Sequence, residues 1–317
     1  MTGRTSPLWS AVETGVLASA AARAPSVHNS QPWSVEICDH VVHLYERFEV
    51  AVPHHDPTGR DRALSCGAAL TNLELAVRAL GWLPEVELLP GGDRPDLVAT
   101  LRAGARRRSS ATDAARYSAI FRRSSHRLPF ALHRVPRHVL RALTAAATGA
   151  GTEARLVHPR TEAATLAGAL AHAGLVLRAD RAYQRELTAW SSAFPDPPAA
   201  DTTLPWSGLV RADTHLPDTV TLTERLAAES LLIVLSADDT RRDHVRAGAA
   251  LERAWLAAVA AGLVGSVLTQ PLHLREVRAG LIERLELPGF PQAILRVGHP
   301  VTAGSRGDRV PAAWEGT

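Results

Sequence analysis

Two stretches of the chain carry the same order of apolar and polar positions. Residues 61–86 read DRALSCGAALTNLELAVRALGWLPEV, and residues 242–267 read RDHVRAGAALERAWLAAVAAGLVGSV. Aligned without gaps, Gly67-Ala-Ala-Leu70 matches Gly248-Ala-Ala-Leu251, and Leu75-Ala76 matches Leu256-Ala257. Gly81 then matches Gly262, and Val86 matches Val267. Each stretch predicts a long apolar helix with small residues along one face, ending at a Gly suited to the left-handed position after a helix. A short apolar strand closes each unit, at 97–102 and at 293–297. Ala-rich helices resemble one another by composition alone, but here the order of helix, Gly and strand repeats as well.

The upstream segments fit the same plan. A helix at 9–22 leads to a strand at 33–37, which pairs as a hairpin with 41–45 across Cys38-Asp39-His40. A helix at 136–147, opened by a Pro, leads to a strand at 154–158, and 231–235 reads as a buried strand. The pattern therefore predicts an α+β protein of two pseudo-symmetric halves, residues 1–110 and 111–317, each an antiparallel or mixed sheet flanked by helices. The halves differ at an insert of about 161–217. It predicts a helix over 161–190 and a Pro-rich polar loop over 194–217. Trp190, Phe194 and Trp206 give this insert an aromatic surface, suited to a lid or to packing on the body.

Composition narrows the classes. The chain has 317 residues, 46% hydrophobic and 21% charged, as globular domains do. No apolar run is long enough to span a bilayer, and Glu13 interrupts any signal-peptide core, so cytoplasmic residence is expected. Cys38 and Cys66 lack metal-site or CxxC spacing and are expected as small buried residues. All 35 basic residues are Arg, which excludes a Schiff-base lysine or a P-loop. A net charge of +3 gives no case for nucleic acid.

Two segments concentrate polar chemistry. Ala24-Pro-Ser-Val-His-Asn-Ser-Gln-Pro-Trp33 joins a helix to a strand, with hydroxyls and amides held between two prolines. It reads either as an ordered turn or as a loop that presents donors and acceptors to a heterocycle. Phe121-Arg-Arg-Ser-Ser-His-Arg-Leu-Pro-Phe130 reads either as a solvated basic turn or as a phosphate site built from two guanidinium groups and a hydroxyl.

The first segment resembles the APSxxNxQPW signature of the FMN-binding nitroreductase superfamily. Asp56-Pro-Thr-Gly-Arg60, followed by Cys66-Gly-Ala-Ala-Leu70, resembles its Acg-type branch. In that superfamily an RxSxR element grips the FMN phosphate. Registered on the closing Pro-Phe, the element here is Arg123, Ser125 and Arg127; the register from Arg122 would end on His126. In dimeric members one subunit gives RxSxR and the other PSxxN. Here each element occurs once, in different halves, so the resemblance implies one composite FMN site in a fused, single-flavin chain.

The resemblance further implies Pro25, Ser26, Val27, Asn29 and Gln31 at the flavin, with Gly265, Ser266 and Gln270 beside its ring. Arg309, within 305–311, is implied at the phosphate. It implies an FMN-dependent oxidoreductase that uses NAD(P)H to reduce a nitroaromatic, a quinone or another small electrophilic acceptor. No catalytic side chain is needed, because the flavin carries the redox chemistry. The alternatives are a non-catalytic FMN-sequestering or storage protein with the insert as lid, and a flavin-dependent oxidase or dehydrogenase of secondary metabolism. The assembly implied is a pseudo-dimeric monomer or a homodimer. His54-His55-Asp56 suggests a metal, but no second cluster has ligand spacing, so no metal is expected. No GxGxxG follows a strand, so a Rossmann domain is not expected.

Overall fold

In a computed structural model of the chain, residues 9–91, 93–191 and 210–301 are described. The order is α1 Ala11–Ala21, β1 Trp33–Cys38, β2 Val41–Glu46, α2 Arg60–Ala79, β3 Trp82–Leu88, β4 Leu97–Arg106, α3 Ala111–Ile120 and α4 Arg137–Ala147. It continues with β5 Thr152–Leu156, α5 Ala163–Ala179, α6 Arg181–Ser191, α7 Thr219–Ala228, β6 Ser230–Ser236, α8 Arg241–Ala260, β7 Val264–Leu268, α9 Arg275–Arg284 and β8 Phe290–Gly298. The strands form two four-stranded antiparallel sheets, β1-β2-β4-β3 and β5-β6-β8-β7. Strand order is therefore the same in both, and the fold is α+β.

Local chemistry explains the element ends. Ser10 and Glu13 form a capping box on α1, and Thr240 and Asp243 form another on α8. Gly59, at φ 72°, opens α2 without a side-chain cap. The Asp56 carboxylate, three residues earlier, accepts from the Arg62 N–H at 2.9 Å and supplies the missing acceptor. Gly81 and Gly262, at φ 85° and 80°, end the two repeated helices.

The repeated helices α2 and α8 pack on each other at the centre of a core that takes residues from both sheets. They cross at the repeated glycines. A Cβ on Gly67 would stand 1.9 Å from the Val245 carbonyl oxygen, and one on Gly248 would stand 1.9 Å from that of Leu64. The small face of each helix is thus the contact face. Polar contacts cross the same seam. The Thr71 hydroxyl donates to Ala249 O at 3.1 Å, and Arg241 donates to the buried Glu46 carboxylate at 2.7 Å.

Two expectations are corrected. The helix predicted over 161–190 is two helices, because Asp180 takes an extended ψ of 103°. Its carboxylate accepts from the N–H groups of Ala182 and Tyr183, capping a new helix. Cys38 is exposed, because it ends a strand at a hairpin where alternation turns it outward; Cys66 is buried. Gly265 and Ser266, implied beside the flavin ring, lie in the edge strand β7. The insert's α5 and α6 build a second apolar cluster with α7 and α9. The expected aromatics Phe194 and Trp206 lie outside the described residues, as does Arg309.

Candidate functional site

Where the halves meet, a cavity opens to solvent. It holds about 890 Å³ of empty space, with the open solvent at its mouth counted in. From the first half it takes Pro25, Ser26, Val27 and His28, together with Leu64, Ser65 and Ala68 of α2. From the second half it takes Ser125, Arg127, Leu251 and Trp255, with Ser266 of β7 and Gln270 in the turn after it.

The first wall is a strained turn. His28, Asn29 and Gln31 have φ of 54°, 54° and 46°, conformations that non-glycine residues adopt at a cost. Local bonds hold it. Ser26 Oγ accepts from Gln31 N–H at 3.0 Å, and Gln31 Nε2 donates back to Ala22 O at 3.3 Å. Pro25, Ser26 and Val27 line the cavity. Asn29 is exposed, and Gln31 is spent on tying the turn to α1; neither lines it.

The second wall comes from the Arg-rich segment. Ser125 bridges Gly265 in parallel, and His126 N–H donates to Gly265 O at 2.8 Å. This pairing with β7 sets Ser125 and Arg127 at the cavity. Gly265 itself does not line the cavity; a Cβ there would lie 2.6 Å from Arg296 O, so its lack of a side chain keeps β7 close to β8. Arg123 is directed elsewhere. It donates to Arg23 O at 2.9 Å, lies 4.6 Å from the centre of the Trp255 ring, and sits 3.7 Å from Glu252. Burial pushes the Glu252 carboxyl up to about 7, against the pull of Arg123.

The floor holds polar groups that the protein leaves unpaired. Gln270 Nε2 and Trp255 Nε1 are buried with no hydrogen-bond partner. Gln270 Oε1 is engaged by Val210 N–H at 3.4 Å. Ser266 Oγ accepts from the fully buried Arg296, which is anchored on Glu229.

Two residues at the start of α2, Asp61 on the cavity lining and the buried Arg60 beside it, were not anticipated from sequence. Arg60 is buried and donates to the carbonyls of Leu272 and Thr269 at 2.7 and 3.0 Å. Its neighbour Asp61 takes a hydrogen bond from the Thr269 hydroxyl. Burial raises the Asp61 pKa, but His273 and Arg60 outweigh it and hold the carboxyl well below the usual range. The start of α2 thus grips the turn that carries Gln270. The only sequence signal was the Asp56-Pro-Thr-Gly-Arg60 string itself.

Helix α6 covers one side. Its Glu186 carboxylate accepts from the His54 and His55 N–H groups at 3.1 and 2.7 Å. Tyr183 stacks on His55 at 5.9 Å between ring centres, and Trp190 stacks on His28 at 5.6 Å.

The chain is similar to two Mycobacterium tuberculosis (strain ATCC 25618 / H37Rv) proteins. One is named "Putative NAD(P)H nitroreductase acg", 31% identical over 308 residues, covering 90% of each chain. The other, "Putative NAD(P)H nitroreductase Rv3131", is 30% identical over 289 residues, covering 88% of this chain and 82% of its own. The chain belongs to the nitroreductase family, in its Acg-type branch. No protein-family model matches it. Among solved structures, it is similar to an FMN-bound nitroreductase from Bacteroides fragilis NCTC 9343, at 14% identity and TM-score 0.40. That match covers 64% of this chain and 97% of the other. The nitroreductase NfnB from Mycobacterium smegmatis, in complex with NADPH, matches at 18% identity and TM-score 0.40, over 63% and 94%. Both segments that the sequence singled out reach the cavity of this family member, through Pro25, Ser26 and Val27 and through Ser125 and Arg127.

Proposed function

We propose that the chain is an FMN-dependent oxidoreductase that draws electrons from NAD(P)H and passes them to a small electrophilic acceptor such as a nitroaromatic or quinone. One observation carries the reading. The seam cavity has a cationic, hydroxyl-bearing end at Ser125 and Arg127, an apolar wall and unpaired buried donors at Gln270 Nε2 and Trp255 Nε1. A flat heterocycle with a phosphate tail matches that donor set.

In this reading Ser125 and Arg127 hold the phosphate, Gln270 donates to the ring's polar edge, and Pro25, Ser26 and Val27 press on the ring. Ser266 and Gly265 shape the facing wall, Ser266 through Arg296 and Gly265 by letting β7 pack closely on β8. FMN, when bound, supplies the hydride chemistry. The protein contributes binding, orientation and control of access, with residues 1–110 and 111–317 acting as two fused halves of one pseudo-dimer.

A second reading, flavin sequestration without turnover, is favoured by α6 lying against His28 and His55. Anaerobic mixing of the flavin-loaded protein with NADPH separates the two. Rapid bleaching of the flavin absorbance supports the oxidoreductase. An unchanged spectrum rejects it and leaves sequestration, and a protein that takes up no flavin defeats both.

A further inference from the structure

Three side chains outside the flavin assignment meet in one nest: His55, Asp61 and His273. Each offers one ligand atom, and these atoms lie within 4.8 Å of one another. His273 Nε2 is 3.1 Å from Asp61 Oδ2, and His55 Nε2 is 3.7 Å from the same oxygen. A tetrahedral zinc with bonds near 2.1 Å places its ligand atoms about 3.4 Å apart, between those two separations. The side chains of His55, Asp61 and His273 are 3%, 2% and 7% exposed.

The state of His55 points to a ligand. Both of its ring nitrogens are buried without a hydrogen-bond partner, whereas buried polar atoms are nearly always satisfied. At 3.7 Å, its approach to Asp61 is too long for a hydrogen bond.

The surroundings suit a cation. Asp56 and Asp61 are both buried, against the one buried guanidinium of Arg60. Arg60 and the Thr269 hydroxyl orient the Asp61 carboxylate, as outer-shell partners orient metal ligands. His55 and Asp61 also line the cavity.

We propose that His55, Asp61 and His273 bind a divalent transition metal of the zinc class, with an open coordination position facing the cavity. The ligands come from both halves: His55 from the loop before α2, Asp61 from the first turn of α2, and His273 from the turn after β7. Sequence spacing could not reveal the set, since more than two hundred residues separate Asp61 from His273.

The test incubates the purified full-length chain with zinc sulfate, desalts it and counts metal by plasma mass spectrometry. About one zinc per chain is expected. His55→Gln and His273→Gln, shown to be folded by circular dichroism, should each lose most of it. Thr269→Val, which removes only the hydroxyl on Asp61, should weaken zinc binding about tenfold. Wild-type protein that retains no zinc overturns the proposal. So does equal retention by both His variants, which would place the metal elsewhere, for example at His133 and His299, whose ring centres are 4.0 Å apart. Flavin content measured on the same samples keeps the two proposals separate: zinc uptake without flavin leaves the metal site standing.

Discussion

Gly67 and Gly248 are the mutual contact points of α2 and α8, each pressed against the other helix's backbone at a carbonyl oxygen. Neither position has room for a methyl group, and the obstacle is main chain, which cannot swing aside. Gly67→Ala or Gly248→Ala should therefore cost about 3 kcal/mol or more, at the upper end for overpacking. Urea unfolding measures it. A variant as stable as the parent would show that the crossing is looser than the structure has it.

Arg123 and Glu252 make a pH-dependent pair. The Glu252 carboxyl titrates at about 7 in the folded chain, against an ordinary value of 4.5. Between those values the folded state binds the extra proton, so this group's contribution to stability is full at low pH and lost as pH rises toward and past 7. Glu252→Gln cannot ionise. Its stability relative to the parent should be greater at pH 8 than at pH 5, by up to about 3 kcal/mol. A difference that stays flat across that range would refute the assignment.

Arg127 and Arg123 should separate cleanly in flavin binding. Arg127 lines the cavity and Arg123 packs on Trp255 and Glu252. Losing one charged donor to a phosphate is worth about 1.5–3 kcal/mol, so Arg127→Ala should weaken FMN binding about tenfold or more. Arg123→Ala should chiefly lower stability, by leaving Glu252 buried and alone. Fluorescence titration with FMN, on samples of matched folded fraction, decides it. The reverse ranking would assign the phosphate grip to Arg123.

Glu186 pins α6 to the loop before α2 through two backbone N–H groups. Glu186→Ala should speed hydrogen exchange at His54 and His55 and across α6, while α5 stays protected. Unchanged exchange at those amides would show that the ring stacking of Tyr183 and Trp190 suffices to hold the helix.

The sequence by itself determined the doubled plan. Gly67-Ala-Ala-Leu70 and Gly248-Ala-Ala-Leu251, each ahead of a helix-ending Gly, set two matching helices whose small faces could only be meant for close contact. Pro25–Val27 and Ser125–Arg127 were legible too, because prolines and clustered Arg and Ser leave a local signature. What only the tertiary structure decided depends on partners far along the chain. Asn29 and Arg123 share the same local patterns, yet Asn29 turns outward in the left-handed backbone of its turn and Arg123 is claimed by Glu252. Asp180 ends one helix because its carboxylate finds two free N–H groups just ahead. Arg60 and Asp61 meet His273 only when the two halves pack together, since the direction and burial of a side chain are set by what packs against it.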